Sequence, residues 1–296
     1  MNLCLKAPLP AGVVDFSLLE PNLLDPEGTG RFLKQRLDEA GVSGGPLALT
    51  LPDSLARISI QELAAPAGSH RDLEELIRFR LRKTLPFEAE KARIRFERVE
   101  GAKFLVGILH DEVVAQYEEF LEELGFQVGV VETSTVSLLN LLRPQIEQEL
   151  AADADYFFIN LEESYFTVSL IAKRQTPLLV RTLGQRASAE TQAQPRLAEA
   201  PPSYGEGELL RELVATLIYY REKLQGSRLA RVYFRSLRPD LGDPGDLAAL
   251  FESQFEVPAE PLDLKRAVAI GPSLKVDEPL ASVVSAAAGA ALARAA

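Results

Sequence analysis

Two rhythms of apolar residues run along the first half of the chain. At helical spacing stand Phe32, Leu33, Leu37 and Ala40; then Leu73, Leu76, Ile77 and Leu81; then Val114, Tyr117, Leu121 and Leu124. Between them, "ARISIQEL" (56–63) and "ARIRFERV" (92–99) alternate residue by residue, while "PLALTLP" (46–52), "KFLVGIL" (103–109) and "VGVVE" (128–132) are almost continuously apolar. The first rhythm predicts helices with one buried stripe, the second predicts strands. Punctuation agrees. Asp25-Pro26 opens a helix that Gly41 closes, Ser69 and Asp72 form a capping-box start for a helix stopped by Pro86, and Asp111 caps one closed by Gly125. Residues 56–127 therefore read as a compact β-α-β-β-α unit.

Thr133 or Ser134 is expected to cap the next helix. Strands at 156–161, 164–172 and 177–183 are spaced for an antiparallel meander. The stretch 184–207 is rich in Ala, Pro, Gln and Glu and nearly lacks large apolar residues, so it reads as a linker or mobile loop open to proteases. An amphipathic helix built on Leu209, Leu213, Leu217, Ile218 and Leu224 follows, then a strand at 230–234, a helix near 246–253, a strand near 266–270 and an alanine-rich terminal helix. The expected division is a first-lobe core from 1–55 and 128–150, an inserted subdomain at 56–127, and a second lobe at 151–296.

Composition narrows the classes. The 296 residues are 47% hydrophobic and 25% charged, as in soluble globular proteins. A net charge of −11 disfavours non-specific attraction to nucleic acid or anionic lipid. Cys4 is the only cysteine, which excludes an internal disulfide and fits a reducing compartment. "MNLCLKAPLPAG" has no apolar core of the kind a secretory signal carries, and the tail "PLASVVSAAAGAALARAA" is mostly alanine interrupted by Arg294, so a buried helix is expected there and not a membrane span. A soluble cytoplasmic protein is the expectation.

Little in the chain promises chemistry. His70 and His110 stand at helix entrances, where capping or solvated roles are expected, and no metal-ligand spacing accompanies them. Cys4 has no basic neighbours to activate it. Neither a phosphate loop nor a G-x-G-x-x-G motif is present; Gly44-Gly45 precede a strand and read as a turn. The runs Arg78-Arg80-Arg82-Lys83 and Arg93-Arg95 fit the solvated face of a helix and an edge strand, or a docking face for an acidic segment of a partner.

From "LTLPDSLARISIQEL" onward the sequence resembles the PilM family of type IV pilus assembly proteins, most closely in "DLEELIRFRLRKTLPFEAEKARIRFERVEG" and "FLVGILHDEVVAQYEEFLEELGFQVGVVETSTVSLLNLL". "DYFFINLEESYFTVSLI", "LLRELVATLIYYREKLQGSRLARVYFRS" and "DEPLASVVSAAAGAAL" match more loosely. The resemblance implies an α/β, actin-like two-lobed fold, with 56–127 inserted in the first lobe and a reduced second lobe. It also exposes departures. The family's D-I-G-x-x-S hairpin does not precede "KAPLPAGVVDFSLLEP" here, either because the start is truncated or because this lineage dropped it. Its D-I-G-x-x-x-T turn is replaced by Asn160-Leu161-Glu162 with Glu163 following. The adenosine-pocket glycines are replaced by Arg235-Ser236, and the stretch 184–207 stands where the small nucleotide-closing subdomain would be. Gly271 could approach a ligand, but Pro272 follows it. Losing the turn glycine removes close backbone approach, and the glutamates would repel a triphosphate.

These departures imply a degenerate nucleotide site at Asn160, Glu162, Glu163, Arg235 and Gly271, with no cofactor. The expected role is a non-catalytic adaptor, peripheral at the inner membrane. It would bind the N-terminal cytoplasmic peptide of an inner-membrane pilus assembly protein, with the assembly motor ATPase as a further partner. Two alternatives stay open: an active ATPase of the same system holding Mg-ATP, and a scaffold like the type II secretion L-protein. In the family the peptide lies between the first lobe's core and its inserted subdomain. By resemblance its wall here would be Phe87, Ile77 and Leu81, with Phe87 exposed after Pro86, and with Arg80 and Arg95 steering polar groups.

Overall fold

The computed structural model describes residues 1–63, 69–173, 176–184 and 204–295. The chain divides into two compact units, residues 1–141 with 268–296, and residues 142–267. The terminal stretch 268–296 thus falls with the first unit, not with the second lobe as expected.

In the first unit, α1 (Pro26–Glu39) starts where the Asp25 carboxylate accepts the Gly28 N–H. Strand β1 (Gly45–Leu51) pairs in parallel with β5 (Phe126–Thr133). Both enter from glycines in close approach: a Cβ at Gly44, whose φ is +82°, would lie 2.3 Å from the Gly125 carbonyl oxygen. The inserted unit is a three-stranded antiparallel sheet in the order β2 (Ala56–Glu62), β4 (Lys103–His110), β3 (Ala92–Glu100). Helix α2 (His70–Leu81) packs on one face, begun by the expected capping box between Ser69 and Asp72. It ends before Pro86, so proline marks the exit loop and not the last helical turn.

Helix α3 (Asp111–Glu123) buries Val113, Val114, Tyr117 and Phe120, with Leu121 and Leu124 half-buried beside them. Its N-cap is His110, and Asp111 is already helical. Helix α4 (Ser134–Glu149) is capped from a distance. The buried Asp53 carboxylate accepts the Thr135 N–H at 2.9 Å and the Thr135 hydroxyl as well, a role expected of Thr133 or Ser134. Nearby, the half-buried Glu132 accepts hydrogen bonds from Ser137 (3.0 Å) and Asn140 (3.2 Å), and burial pushes its carboxyl above the ordinary carboxylate range. The last helix, α8 (Glu278–Ala295), packs on β1 and β5 with its small residues inward. A Cβ on Gly289 would stand 1.9 Å from the Ser137 carbonyl oxygen, so only glycine permits this crossing.

The second unit is built on one five-stranded sheet. Strands β6 (Asp155–Leu161), β7 (Phe166–Ala172) and β8 (Thr176–Leu183) form the antiparallel meander, and β9 (Leu229–Ser236) and β10 (Ala259–Pro261) extend it in parallel, in the order β10-β9-β6-β7-β8. Its core is aromatic: Phe157, Phe166, Tyr220, Phe234, Phe251 and Phe255 are all but fully buried. Helix α5 (Glu206–Glu222) contributes Leu209, Leu213, Leu217 and Tyr220, whereas Ile218, expected inward, is exposed. Helix α6 (Pro244–Phe255) is followed by β10 and a short α7 (Leu264–Ala267). The strand expected near 266–270 is absent; the pairing falls to 259–261 instead. Most of the expected mobile stretch, 185–203, lies outside the described residues. Tyr204, at its end, is buried against Phe166 at a ring distance of 4.7 Å.

Candidate functional site

Two places in the molecule gather the residues singled out in the sequence, and each lies within one unit. The first is the turn between β6 and β7. Parallel pairing sets Asn160 opposite Arg235 and Leu161 opposite Ser236. That register brings the Arg235 guanidinium to the Asn160 side-chain oxygen at 3.0 Å and to the Glu162 carboxylate in an ion pair. The Arg235 side chain is only 4% exposed and that of Glu162 16%. A buried arginine demands an anion and hydrogen-bond acceptors, and the turn supplies both.

A second layer closes over this pair. The Tyr204 hydroxyl donates to the Glu162 carbonyl at 3.1 Å, and the Arg238 guanidinium lies 4.4 Å above the Tyr204 ring. Arg238 donates to the Tyr204 carbonyl at 2.9 Å and to the Glu163 carbonyl at 3.4 Å, and forks onto both oxygens of Asp240 at 2.7 and 2.6 Å. Hydrogen bonding from Arg238 holds the Asp240 carboxyl below its usual range, and burial pushes the Tyr204 phenol up. Gly184, at φ +86°, passes so near that a Cβ would meet the Ser164 carbonyl oxygen at 3.3 Å. Asn160, Glu162 and Arg235 are thus brought together. The Glu163 side chain points to solvent. Gly271 belongs to the other unit, where its N–H donates to the Met1 carbonyl at 2.8 Å. Expected repulsion by Glu162 needs correcting: its charge is matched by Arg235.

The second place is the inserted three-stranded sheet, whose two faces differ. On the α2 face, Ile77 and Leu81 are buried with Ile94, Phe104, Val106 and Ile108, at 1% and 4% exposure. They are core and cannot wall an open groove. Phe87, expected to be exposed, is half-buried against the same cluster, its ring edge-on to the buried His110 at 4.7 Å. Its outer side faces an open depression of about 580 Å³ shared with Arg82, Leu85 and Pro86. His110 is neither solvated nor a side-chain cap, and its Nδ1 has no partner among the described residues. His70 instead stacks on Phe96 at 4.4 Å. Arg80 donates to the Glu62 carbonyl at 2.6 Å.

Arg95 lies on the opposite face, because it pairs with Gly107 while its neighbour Ile94 pairs with the buried Ile108. The proposed wall therefore combined residues from two sides of one sheet. On the Arg95 side, the rows Ile58-Gly107-Arg95 and Ile60-Leu105-Glu97 present half-exposed apolar residues outside the α2 cluster. A Cβ at Gly107 would meet nothing within 4 Å, so the middle of this face is open. The alternation of β2 pointed to Ile58 and Ile60; the pairing that sets them beside Gly107 was not readable from the chain.

Among the described residues no cluster of His, Cys, Asp and Glu could hold a metal ion, and no helix is long and apolar enough to cross a membrane. Burial pushes the Cys4 thiol up, away from reactivity.

Among solved structures, the mixed α/β fold of this chain is shared with one from a pilus biogenesis complex. A chain of the PilM-PilN type IV pilus biogenesis complex matches with a TM-score of 0.75 at 19% identity, covering 97% of this chain and 89% of that one. At that identity the likeness is one of fold. The cytoplasmic domain of EpsL, an inner membrane component of the type II secretion system of Vibrio cholerae, matches at TM-score 0.46 and 10% identity, over 90% of this chain and 81% of that one. A Bacteroides thetaiotaomicron protein with an actin-like ATPase fold matches at 0.46 and 8%, over 90% and 84%. These two are too distant in shape to carry an argument. No protein-family model matches the chain, and no curated protein does.

Proposed function

We propose that this protein is a non-catalytic scaffold of a type IV pilus-like inner-membrane assembly platform, working at the cytoplasmic face. It holds a membrane-anchored partner by a short, extended, apolar segment of that partner's cytoplasmic N-terminus. The observation that carries the reading is the open face of the inserted sheet, where Ile58, Ile60 and Leu105 surround the empty space above Gly107. An extended peptide laid there buries apolar side chains on both, and Arg95 at the rim meets its carbonyls or acidic groups. Fold-level likeness to a chain solved in a complex with PilN supports the same kind of partner. The filled β6–β7 turn supports the absence of catalysis, since Glu162 and Asn160 already engage the Arg235 guanidinium, the cation that could otherwise meet a phosphate.

The test uses a labelled peptide copying the N-terminal cytoplasmic segment of a candidate inner-membrane pilus assembly protein. Fluorescence anisotropy should show saturable binding to the wild type. Gly107→Val, whose Cβ would meet nothing within 4 Å, should take up the open space and abolish binding while leaving the thermal midpoint in place. Full binding by that variant would remove the peptide from this face. Separately, calorimetric titration with Mg-ATP should show no heat of binding, and micromolar affinity would overturn the non-catalytic part.

A further inference from the structure

The basic run at the end of α2 plays no part in the sheet-face reading, and it differs from several cations of the inserted unit that are already paired. Arg71, Arg78, Lys91 and Arg93 each pair with a carboxylate. Arg82 and Lys83 are exposed and have no carboxylate partner among the described residues. Arg57 and Arg80 are exposed too, and reach only the backbone carbonyls of Thr84 and Glu62. Cations at a helix C-terminus complement its dipole, which accounts for some of this charge. It does not account for Phe79. That ring is 75% exposed, on the side of α2 turned away from Ile77 and Leu81. Arg82, three residues after Phe79 and so on the same side of the helix end, lines the depression together with Leu85, Pro86, Phe87, Glu88 and Glu90.

We infer that the C-terminal end of α2 is a second docking surface, taking an acidic protein segment that carries an apolar anchor. Phe79 and the depression receive the anchor, and Arg82 and Lys83, with Arg57 and Arg80 behind them, receive the carboxylates. Glu88 and Glu90, which also line the depression, disfavour acidic groups there, so the apolar anchor and not a carboxylate enters it. An anionic bilayer suits the surface less well. The apolar element is partly a hollow, and a protein of net charge −11 gains little from approaching a negative plane.

The probe is a fluorescein-labelled peptide of alternating glutamate and leucine, titrated into the full chain at low and physiological salt, with a lysine–leucine peptide as control. The glutamate peptide should bind and weaken as salt rises. Phe79→Ser, and Arg82→Glu with Lys83→Glu, should each weaken it by about tenfold or more with unchanged thermal midpoints, since these side chains are exposed. Gly107→Val should leave it unaltered, which keeps this surface distinguishable from the sheet face. Equal binding by the α2 variants, or none by the wild type, overturns the inference. So does flotation with anionic phospholipid vesicles that Phe79→Ser abolishes, or a self-associated species in sedimentation that Phe79→Ser dissolves.

Discussion

The turn between β6 and β7 and the inserted sheet treat their polar and apolar groups in opposite ways. At the turn, Arg235, Glu162, Asn160, Tyr204 and Arg238 satisfy one another, and Gly184 seals the edge. The inserted sheet leaves an open space over Gly107, an outward phenylalanine on α2, and cations without carboxylates. Polar groups that satisfy one another close a structural element, whereas exposed groups stay available to another molecule. Burial with mutual satisfaction against exposure without it is a physical distinction, and mutation can test it.

The largest effect should come from Arg235→Ala. It leaves the largely buried Glu162 carboxylate without its cation, and removing one member of a buried ion pair costs about 3–5 kcal/mol. Urea unfolding should show that loss, and replacing Arg235 and Glu162 together by leucine should recover much of it. A loss below about 1 kcal/mol for Arg235→Ala would mean that the pair is hydrated and the turn not closed. Next comes Phe87→Ala. Half-buried against His110 and the α2 cluster, it should lower stability by about 1–3 kcal/mol and leave binding on the Gly107 face intact. Weakened binding without destabilisation would return Phe87 to the peptide site.

Two glycines sharpen the contrast. Gly184→Ala places a side chain at φ +86° and should cost about 1–2 kcal/mol by thermal unfolding. Gly107→Ala, in open space, should change stability by no more than about 0.5 kcal/mol. Comparable losses at both would erase the distinction between closed and open.

The smallest effect concerns a second carboxylate. Glu162 has a cation, whereas half-buried Glu132 has hydroxyl and amide donors, and burial raises its folded pKa. The folded state then holds the proton more tightly than the unfolded chain does. Its contribution to stability is fully present below the ordinary value of 4.5 and is lost as pH rises through the raised one. Unfolding of wild type and Glu132→Gln followed against pH should show the wild type losing ground to the variant above about pH 4.5. A difference that does not vary with pH would place Glu132 in water.

Much of this was legible in the chain. The Ser69–Asp72 box, the β6-β7-β8 meander and the helical stripes are local patterns, and they form where spacing puts them. Even Phe79 could have been read, because two residues past Ile77 is about 200° around a helix, facing away from the core. Arg95 likewise alternates with Ile94 and had to lie on the other side of the sheet. What resisted was non-local. Asp53 caps a helix far along the chain, Arg235 meets Glu162 only through strand pairing, and β10 is too short to show a period. Tyr204 sits at the end of a polar stretch, and composition gives no sign that its ring is buried.

The crossing at Gly289 has a consequence for how the molecule is made. Residues 142–267 are one uninterrupted length of chain, while the first unit needs α8, which is translated after them. On the ribosome the second unit can finish its core while β1 and β5 still wait for the cover that α8 provides. Until α8 emerges, the early half lacks that cover over β1 and β5. Any residue larger than glycine at position 289 would prolong that interval by obstructing the last docking step.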